Sequence, residues 1–347
     1  MKVGVVVNDI GGEVADYTST SLGLEAHRRG HEVSYIGLQD FSLGADDQVR
    51  AMSRRAQPKR YLTAQTYLVA VQSQDAIVER LSVDQLDVLL LRNDPAKEFF
   101  VRPWSRVAAI NFGRLAMLHG VIVLNDPDGL ARAINKTYLQ MFPASARPQA
   151  VVSRDKQEIL DFASDHGGRV VIKPLQGSGG RNVFLLNLAE PENINQMIQA
   201  VLQDGYIMAQ EYLPAITEGD TRLFMLNGDV MEYGGAIAAL QRLRSGGDLR
   251  TNLSVGGKGV VADVTEETIH AARQFGPRLK ADGMFFVGLD VVGDKVLEVN
   301  VFSPGALIGA SQLAGINFVE AVVKSLERKV AHKKSHANVS NIELATI

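Results

Sequence analysis

The first apolar run of the chain, Val3 to Val7, is short and rich in β-branched residues. The pattern then shifts to helical spacing over residues 18 to 29, closes at Gly30, and returns to a strand over Val33 to Gly37. Two apolar strands around a helix predict a β-α-β opening, typical of a parallel sheet covered on both faces. Asp87 to Leu91 repeats the buried-strand pattern, and the loop Arg92-Asn93-Asp94-Pro95 follows. A helix over 104 to 119 and a strand over Val121 to Leu124 complete a first α/β unit, residues 1–125. Between 40 and 82 the chain is polar and mixed, with Arg54, Arg55, Lys59 and Arg60 clustered; it reads as a solvated helix or insertion.

Asn125-Asp126-Pro127 is a turn signal and marks a boundary. A helix over 128–142, a strand at Val170 to Lys173, a returning strand at Val183 to Leu186 and a helix over 190–203 make a second unit, 126–204. A third unit, 205–330, is strand-rich: 206–210, 221–227 and 229–236. A glycine- and arginine-rich segment (241–260), a helix (265–282), a hairpin (288–300) and a helix (316–328) follow. Residues 331–347 lose apolar periodicity and read as a disordered tail.

Composition narrows the function classes. The 347 residues suit two or three domains with ample core, and 46% apolar with 22% charged residues is ordinary for a soluble enzyme. A net charge of −3 leaves no footprint for nucleic acid or an anionic membrane. The chain has no cysteine, which removes disulfides, thiolate metal sites and a cysteine nucleophile together. The first apolar run is too short for a signal peptide and no run reaches the length of a membrane span, so the expectation is a cytoplasmic protein. His27, His31, His119, His166 and His270 stand singly, and Ser178 and Ser303 lack a partnered base, so nucleophilic catalysis is not supported.

The chemistry lies elsewhere. In Gly288-Leu289-Asp290-Val291-Val292-Gly293-Asp294-Lys295-Val296-Leu297-Glu298-Val299-Asn300, apolar runs flank a Gly-Asp turn, which predicts a β-hairpin. Glu298 and Asn300 share one face, and an odd loop such as 293–295 would pair Asp290 with Glu298. The three oxygen side chains would then suit Mg²⁺; otherwise they are stray polar residues on a solvated face. Gln176 to Arg181 is glycine-rich and lies between two strands, so it is neither a dinucleotide fingerprint nor a P-loop. Either it folds over phosphates through bare N–H groups or it is an ordinary flexible hairpin; Lys173, at the end of the strand entering it, favours phosphate. Lys136 alone reads as a surface lysine on a helix, and Asp220 in Gly219-Asp220-Thr221-Arg222 either caps a turn or accepts from a ribose hydroxyl. Arg244, Arg250, Asn252 and Lys258 lie among glycines, in a loop that either closes over an anionic intermediate or is merely a mobile surface segment.

The order of these features resembles the ATP-grasp superfamily, and in detail the prokaryotic glutathione synthetases, over residues 1 to about 330. Ile172-Lys173-Pro174-Leu175 through Gly180, Met208-Ala209-Gln210 through Ile216, and Phe286 through Pro304 carry the resemblance most specifically. It implies an N-terminal Rossmann-like (pre-ATP-grasp) α/β domain followed by a two-lobed α+β ATP-grasp fold, acting as a homo-oligomeric ATP-dependent ligase. Lys136 and Lys173 would bind ATP phosphates beneath the loop containing Gly177, Ser178, Gly179 and Gly180. Gln210, Glu211, Tyr212 and Leu213 would hold the adenine, with Asp220 near the ribose. Asp290, Glu298 and Asn300 would ligate Mg²⁺, with Mn²⁺ as the alternative ion. Arg222, Arg250 and Asn252 would face the acyl phosphate, while Thr18, Ser19, Arg92, Ser303, Pro304 and Gly305 would meet the substrates, a γ-glutamyl dipeptide and an amino acid. The chain departs from the family in Gly-Ser-Gly-Gly at the loop, where Gly-Met-Gly-Gly is usual, and in Gly305-Ala306-Leu307-Ile308-Gly309, which would border the acceptor. Rival expectations are a related ligase with other substrates, a non-catalytic nucleotide-binding homologue, and a dinucleotide-dependent dehydrogenase; the missing Gly-x-Gly-x-x-Gly turn counts against the last.

Overall fold

The computed structural model describes residues 1–347 except 99, 100, 178, 244–257 and 337. The predicted β-α-β opening is present: Lys2–Val7 and Glu32–Gly37 pair in parallel around the helix Thr18–Arg28. Val88–Leu91 joins the other edge of Lys2–Val7, and Ile122–Leu124 pairs beside it, both in parallel. These strands are apolar on both faces and wholly buried beyond Lys2 and Glu32, as a sheet between helices requires.

The 40–82 region corrects the expectation of a solvated helix or insertion. Phe41–Leu43, Val49–Arg55 and Ile77–Ser82 extend the same sheet as antiparallel strands, with only Ala64–Gln72 helical. The inward positions Val49, Ala51 and Ser53 are small or polar, so their alternation carries little hydrophobic contrast. Arg54 donates to Val71 O (3.0 Å) and Gln72 O (3.2 Å), tying off carbonyls at the end of that helix.

A second sheet runs in the order Phe184–Asn187, Arg169–Pro174, Ile207–Glu211, Ala150–Ser153, all antiparallel. Two amphipathic helices, Lys156–Asp165 and Ile194–Leu202, cover one face through Ile159, Ala163, Ile198 and Val201. The expected 128–142 helix is broken: Pro127–Arg132 is helical, and Asn135 then caps a separate 3₁₀ segment, Lys136–Met141. Lys136 therefore begins a turn and is not a helix-face residue. A third sheet orders Lys258–Val260, Ala239–Leu243, Asp220–Leu226, Phe286–Val292 and Lys295–Asn300, backed by Glu266–Ala281. The expected 229–236 strand is divided into short pieces at 229–230, 232–233 and 236–237.

The disordered-tail expectation is also corrected. The helix Phe318–Ser335 runs past residue 330, and Asn341–Thr346 is a further helix opened by a Ser340–Glu343 capping box. Leu344 and Ala345 are buried, and the Asn341 side chain bonds both Val123 N (2.9 Å) and Val123 O (2.8 Å). With so few inward positions, this helix shows no periodicity.

Candidate nucleotide and ligation site

The hairpin that begins the site is built from Phe286–Val292 and Lys295–Asn300. Its turn is the two residues Gly293-Asp294, because Val292 pairs with Lys295 and Val291 with Val296. That register alone would leave Asp290 opposite Leu297. A bulge intervenes, and Asp290 pairs with Glu298 and Gly288 with Asn300. The bulge thus does what the expected three-residue loop would have done, bringing Asp290, Glu298 and Asn300 to one face.

The neighbouring strands add to the same row. Arg222 lies opposite Asp290, and Asp220, two residues earlier, lies opposite Arg242. Arg222 grips both oxygens of Asp290, with Nη2 to Oδ2 at 3.0 Å. Arg242 grips Asp220 through Nε (3.0 Å) and Nη2, and its Nη2 also reaches Asp290 Oδ2 at 2.7 Å. All four side chains are buried. Burial opposes the Asp290 charge, but Arg222 and Arg242 prevail and hold its pKa at about 2. Gly288 has to be glycine: a Cβ there would stand 2.9 Å from Arg222 Cδ and 3.1 Å from Pro304 Cβ.

Facing this row is the second sheet. Lys173 pairs with Met208, which places it diagonally across from Gln210 on the same face, and its Nζ donates to Gln210 Oε1 at 2.8 Å. Burial pushes the Lys173 pKa down to about 8, partly offset by Glu298. Lys136 Nζ donates to Gly177 O (2.8 Å) and lies 3.9 Å from Glu298 Oε1. The guanidinium of Arg169 stacks over Tyr212, 4.3 Å from the ring centroid.

Between the two sheets lies a cavity of about 1140 Å³, partly open to solvent. Lys136, Lys173, Gly177, Gly179, Gly180, Gln210, Glu211, Tyr212, Leu213, Asp220, Arg222, Asp290, Glu298 and Asn300 all line it. Val171, Val183, Ile216 and Leu297 supply apolar walls suited to a planar base. Gln210 Nε2 is buried without a hydrogen-bond partner among the described residues, so a donor awaits an acceptor there. A second cavity, of about 800 Å³, is lined by Asp94, Pro95, Ala96, Gln176 and Ser303. The two share Lys136, Lys173, Gly177, Leu297, Glu298 and Asn300.

The remaining expected residues lie apart. Thr18, Ser19 and Arg92 are buried and line neither cavity. Arg92 instead donates to Pro304 O (3.1 Å), and Arg222 Nη1 approaches Gly305 O (3.5 Å), so two arginines hold the 304–305 backbone from behind. Burial lowers the Arg92 pKa to about 10, against the pull of Glu13, and Arg92 Nε and Thr18 Oγ1 find no partner among the described residues. Ser178, Arg250 and Asn252 lie outside the described residues. Arg242 is the principal residue that sequence reasoning passed over; it lies at the start of the glycine- and arginine-rich segment 241–260, and its signal was an arginine at an inward position of a strand, Ala239–Leu243.

Comparison with known proteins agrees with this geometry. Residues 1–132 match the family model of the prokaryotic glutathione synthetase N-terminal domain, and residues 135–315 that of the prokaryotic glutathione synthetase ATP-grasp domain. The chain belongs to the prokaryotic glutathione synthetase family. Among family members, the glutathione synthetase of Salmonella typhimurium is 32% identical over 341 residues, covering 95% of this chain and 99% of that one. That of Escherichia coli strain K12 is 33% identical over 309 residues, covering 88% and 90%. The fold is shared with D-cycloserine synthetase DcsG (TM-score 0.62, 17% identity, 93% of this chain and 99% of that one). It is shared too with D-alanyl-alanine synthetase A from Vibrio cholerae (TM-score 0.59, 9% identity, 95% and 98%). The prokaryotic glutathione synthetase family uses ATP and a divalent metal. The donors here fit such an ion in type, being two carboxylates and an amide oxygen; among the described residues no group of three His, Cys, Asp or Glu could hold a metal. No described helix is long and apolar enough to cross a membrane.

Proposed function

We propose that this protein joins a carboxylate to an amine at the expense of ATP, making glutathione from γ-glutamylcysteine and glycine. One observation carries the reading: a nucleotide-sized cavity and a second cavity meet along Lys136, Lys173, Glu298 and Asn300. A carboxylate in the second cavity would face the γ-phosphate of a nucleotide in the first. In this reading 1–125 is the substrate-binding domain, and 126–204 and 205–330 are the two ATP-grasp lobes.

Gln210 to Leu213 and the apolar walls hold the adenine, and Asp220 borders the ribose end while bonded to Arg242. Lys136 and Lys173 hold the phosphates beneath the glycine loop 176–182. Phosphate arriving at Lys136 takes the place of Gly177 O, so binding and loop position are linked. Asp290, Glu298 and Asn300 would hold Mg²⁺, or Mn²⁺, which when bound neutralises phosphate charge during phosphoryl transfer. Arg242 and Arg222 keep Asp290 ionised for that task.

The substrate carboxylate displaces ADP to give an acyl phosphate; the amine attacks the acyl carbon, and phosphate leaves. Arg222, with Arg250 and Asn252, stabilises the oxyanion of the tetrahedral species. Ser303 lines the substrate cavity, and the backbone that follows it, at Pro304 and Gly305, is anchored by Arg92 and Arg222. Thr18, Ser19 and Arg92 line neither cavity, so their effect on the peptide would be indirect, through the hold of Arg92 on Pro304 O. Closure of the glycine loop over the cleft would keep water from the acyl phosphate. The family relationship further supports a cytoplasmic homo-oligomer.

The test is phosphate release with ATP and Mg²⁺ across γ-glutamyl dipeptides and a panel of amino acids. Tripeptide from γ-glutamylcysteine and glycine is the expected product. Turnover solely with another pair would overturn the glutathione assignment and retain the ligase, an outcome that would trace to the divergent segment 305–309.

A further inference from the structure

The glycine loop is held at its stem by three consecutive residues. Leu175 O accepts from Lys136 N (2.9 Å), the Gln176 side-chain carbonyl accepts from Arg106 Nη2 (2.6 Å), and Gly177 O accepts from Lys136 Nζ (2.8 Å). Gly177, at φ 114°, lines the nucleotide cavity together with Gly179, Gly180 and Arg181. The two Lys136 contacts come from within the ATP-grasp region, and the Nζ contact ends when a phosphate claims that amine. The Arg106 contact is different. It comes from the N-terminal unit, on the turn Pro103–Val107, and does not involve the phosphate-binding amines.

That turn is itself braced. Ser105 Oγ donates to Arg102 O (2.8 Å), Arg102 Nε donates to Glu98 Oε2 (2.7 Å), and Arg102 Nη2 donates to Asn8 O (3.1 Å), at the end of the first strand. Hydrogen bonds thus brace against the N-terminal sheet the turn whose Arg106 reaches Gln176. Gln176 also lines the second cavity, where the carboxylate substrate would sit.

We propose that Arg106 is a lid-positioning residue, which holds Gln176 so that the glycine loop stays closed over the acyl phosphate until the amine attacks. The inference rests on the ligase reading above. Without the clasp the loop opens while the acyl phosphate is present; water then cleaves it, returning the free carboxylate and inorganic phosphate with no peptide bond formed. Arg106 touches no reacting atom, so its loss uncouples ATP use from ligation and leaves the phosphate contacts of Lys136 and Lys173 in place.

The experiment compares wild type, Arg106→Ala, Arg106→Lys, Gln176→Ala and the double alanine variant. Amide exchange of residues 176–182 is measured in the nucleotide-free protein, and the ratio of phosphate released to peptide formed is measured during turnover. Loss of one charge-assisted, partly exposed hydrogen bond should speed exchange about three- to tenfold in either alanine variant. The phosphate-to-peptide ratio should rise from one, with KM for ATP little changed. Arg106→Lys should recover part of the coupling, and the effects in the double variant should fall short of the sum of the singles, since both remove the bond the two side chains share. Wild-type exchange and a ratio of one in Arg106→Ala would overturn the proposal, as would additive effects in the double variant. The exchange measurement needs no turnover: a wild-type protein inert with every substrate pair, but showing the expected exchange differences, would overturn the ligase reading and leave the clasp in place.

Discussion

Arg222 and Asp290 face each other across adjacent antiparallel strands, and the guanidinium holds both carboxylate oxygens in the buried floor of the cleft. Arg242 reaches the same carboxylate from the far side while also holding Asp220. The cationic and anionic groups of this row balance only as a set. Arg242→Met, which fills similar space without charge, should therefore destabilise the fold by about 3–5 kcal/mol, because two buried carboxylates lose a shared partner. Urea unfolding of the variant measures this. Acid unfolding gives a second check with a definite sign. The Asp290 pKa is depressed to about 2, so its contribution is present above the ordinary aspartate value and is lost as pH falls through about 2. In the variant that contribution shrinks, and acid unfolding should begin at higher pH.

Glu298 lies on the seam of the two cavities, with its side chain 39% exposed and Lys136 Nζ at 3.9 Å. Glu298→Gln keeps the shape and removes the charge. Turnover should fall by about 10²-fold or more, the scale of losing one electrostatic element of a phosphoryl-transfer site. Because this carboxylate is more than a third exposed and only partly offsets the burial of Lys173, thermal unfolding should shift little. Near-wild-type turnover in the folded variant would remove Glu298 from the metal set.

The parts of the site visible from sequence were those whose chemistry is local. Lys173 before a glycine loop, the Gln210–Leu213 strand and the polar interruptions of the hairpin each announce themselves within a few residues, and all line one cavity. Arg242 was hidden because its role exists only across strands: its partners Asp220 and Asp290 are 22 and 48 positions away. The bulge at Leu297 was hidden for a similar reason, since hairpin register depends on pairing that a single strand does not encode. The strands of 41–82 and the helix Asn341–Thr346 escaped because small or sparse inward residues give hydrophobic period too little amplitude. Even so, the Ser340-x-x-Glu343 capping box was readable.

Lys173 gives the site a pH limit. Burial depresses its pKa to about 8, and only the ammonium form attracts phosphate. Affinity of the free enzyme for ATP should accordingly hold below pH 8 and fall about tenfold per unit well above it. Bound triphosphate favours the charged form, so the profile of kcat at saturating ATP should break at higher pH than that of kcat/KM. Lys173→Met should bind ATP weakly with no break in this range. A wild-type kcat/KM profile that stays flat to pH 10 would place Lys173 away from the phosphates.

Lys329 makes a contrasting prediction, about stability alone. Its side chain is wholly buried; Nζ donates to Asn227 Oδ1 (2.8 Å), Ala345 O (3.2 Å) and Ile347 O (2.8 Å), and stands 4.9 Å from the Phe285 ring. Burial pushes its pKa down to about 7, with Arg328 adding to the effect. Between about pH 7 and the ordinary lysine value, the unfolded chain therefore binds more protons than the native one, and stability should rise with pH across that window. The slope for one such group is at most about 1.4 kcal/mol per pH unit. Lys329→Met removes the titrating group and should flatten the curve, while also freeing Ala345 in the Asn341–Thr346 helix and the adjoining Ile347 from their contacts. Thermal unfolding from pH 6.5 to 9.5, run on both proteins, tests this directly. A parallel rise in the two would assign the pH dependence to another group.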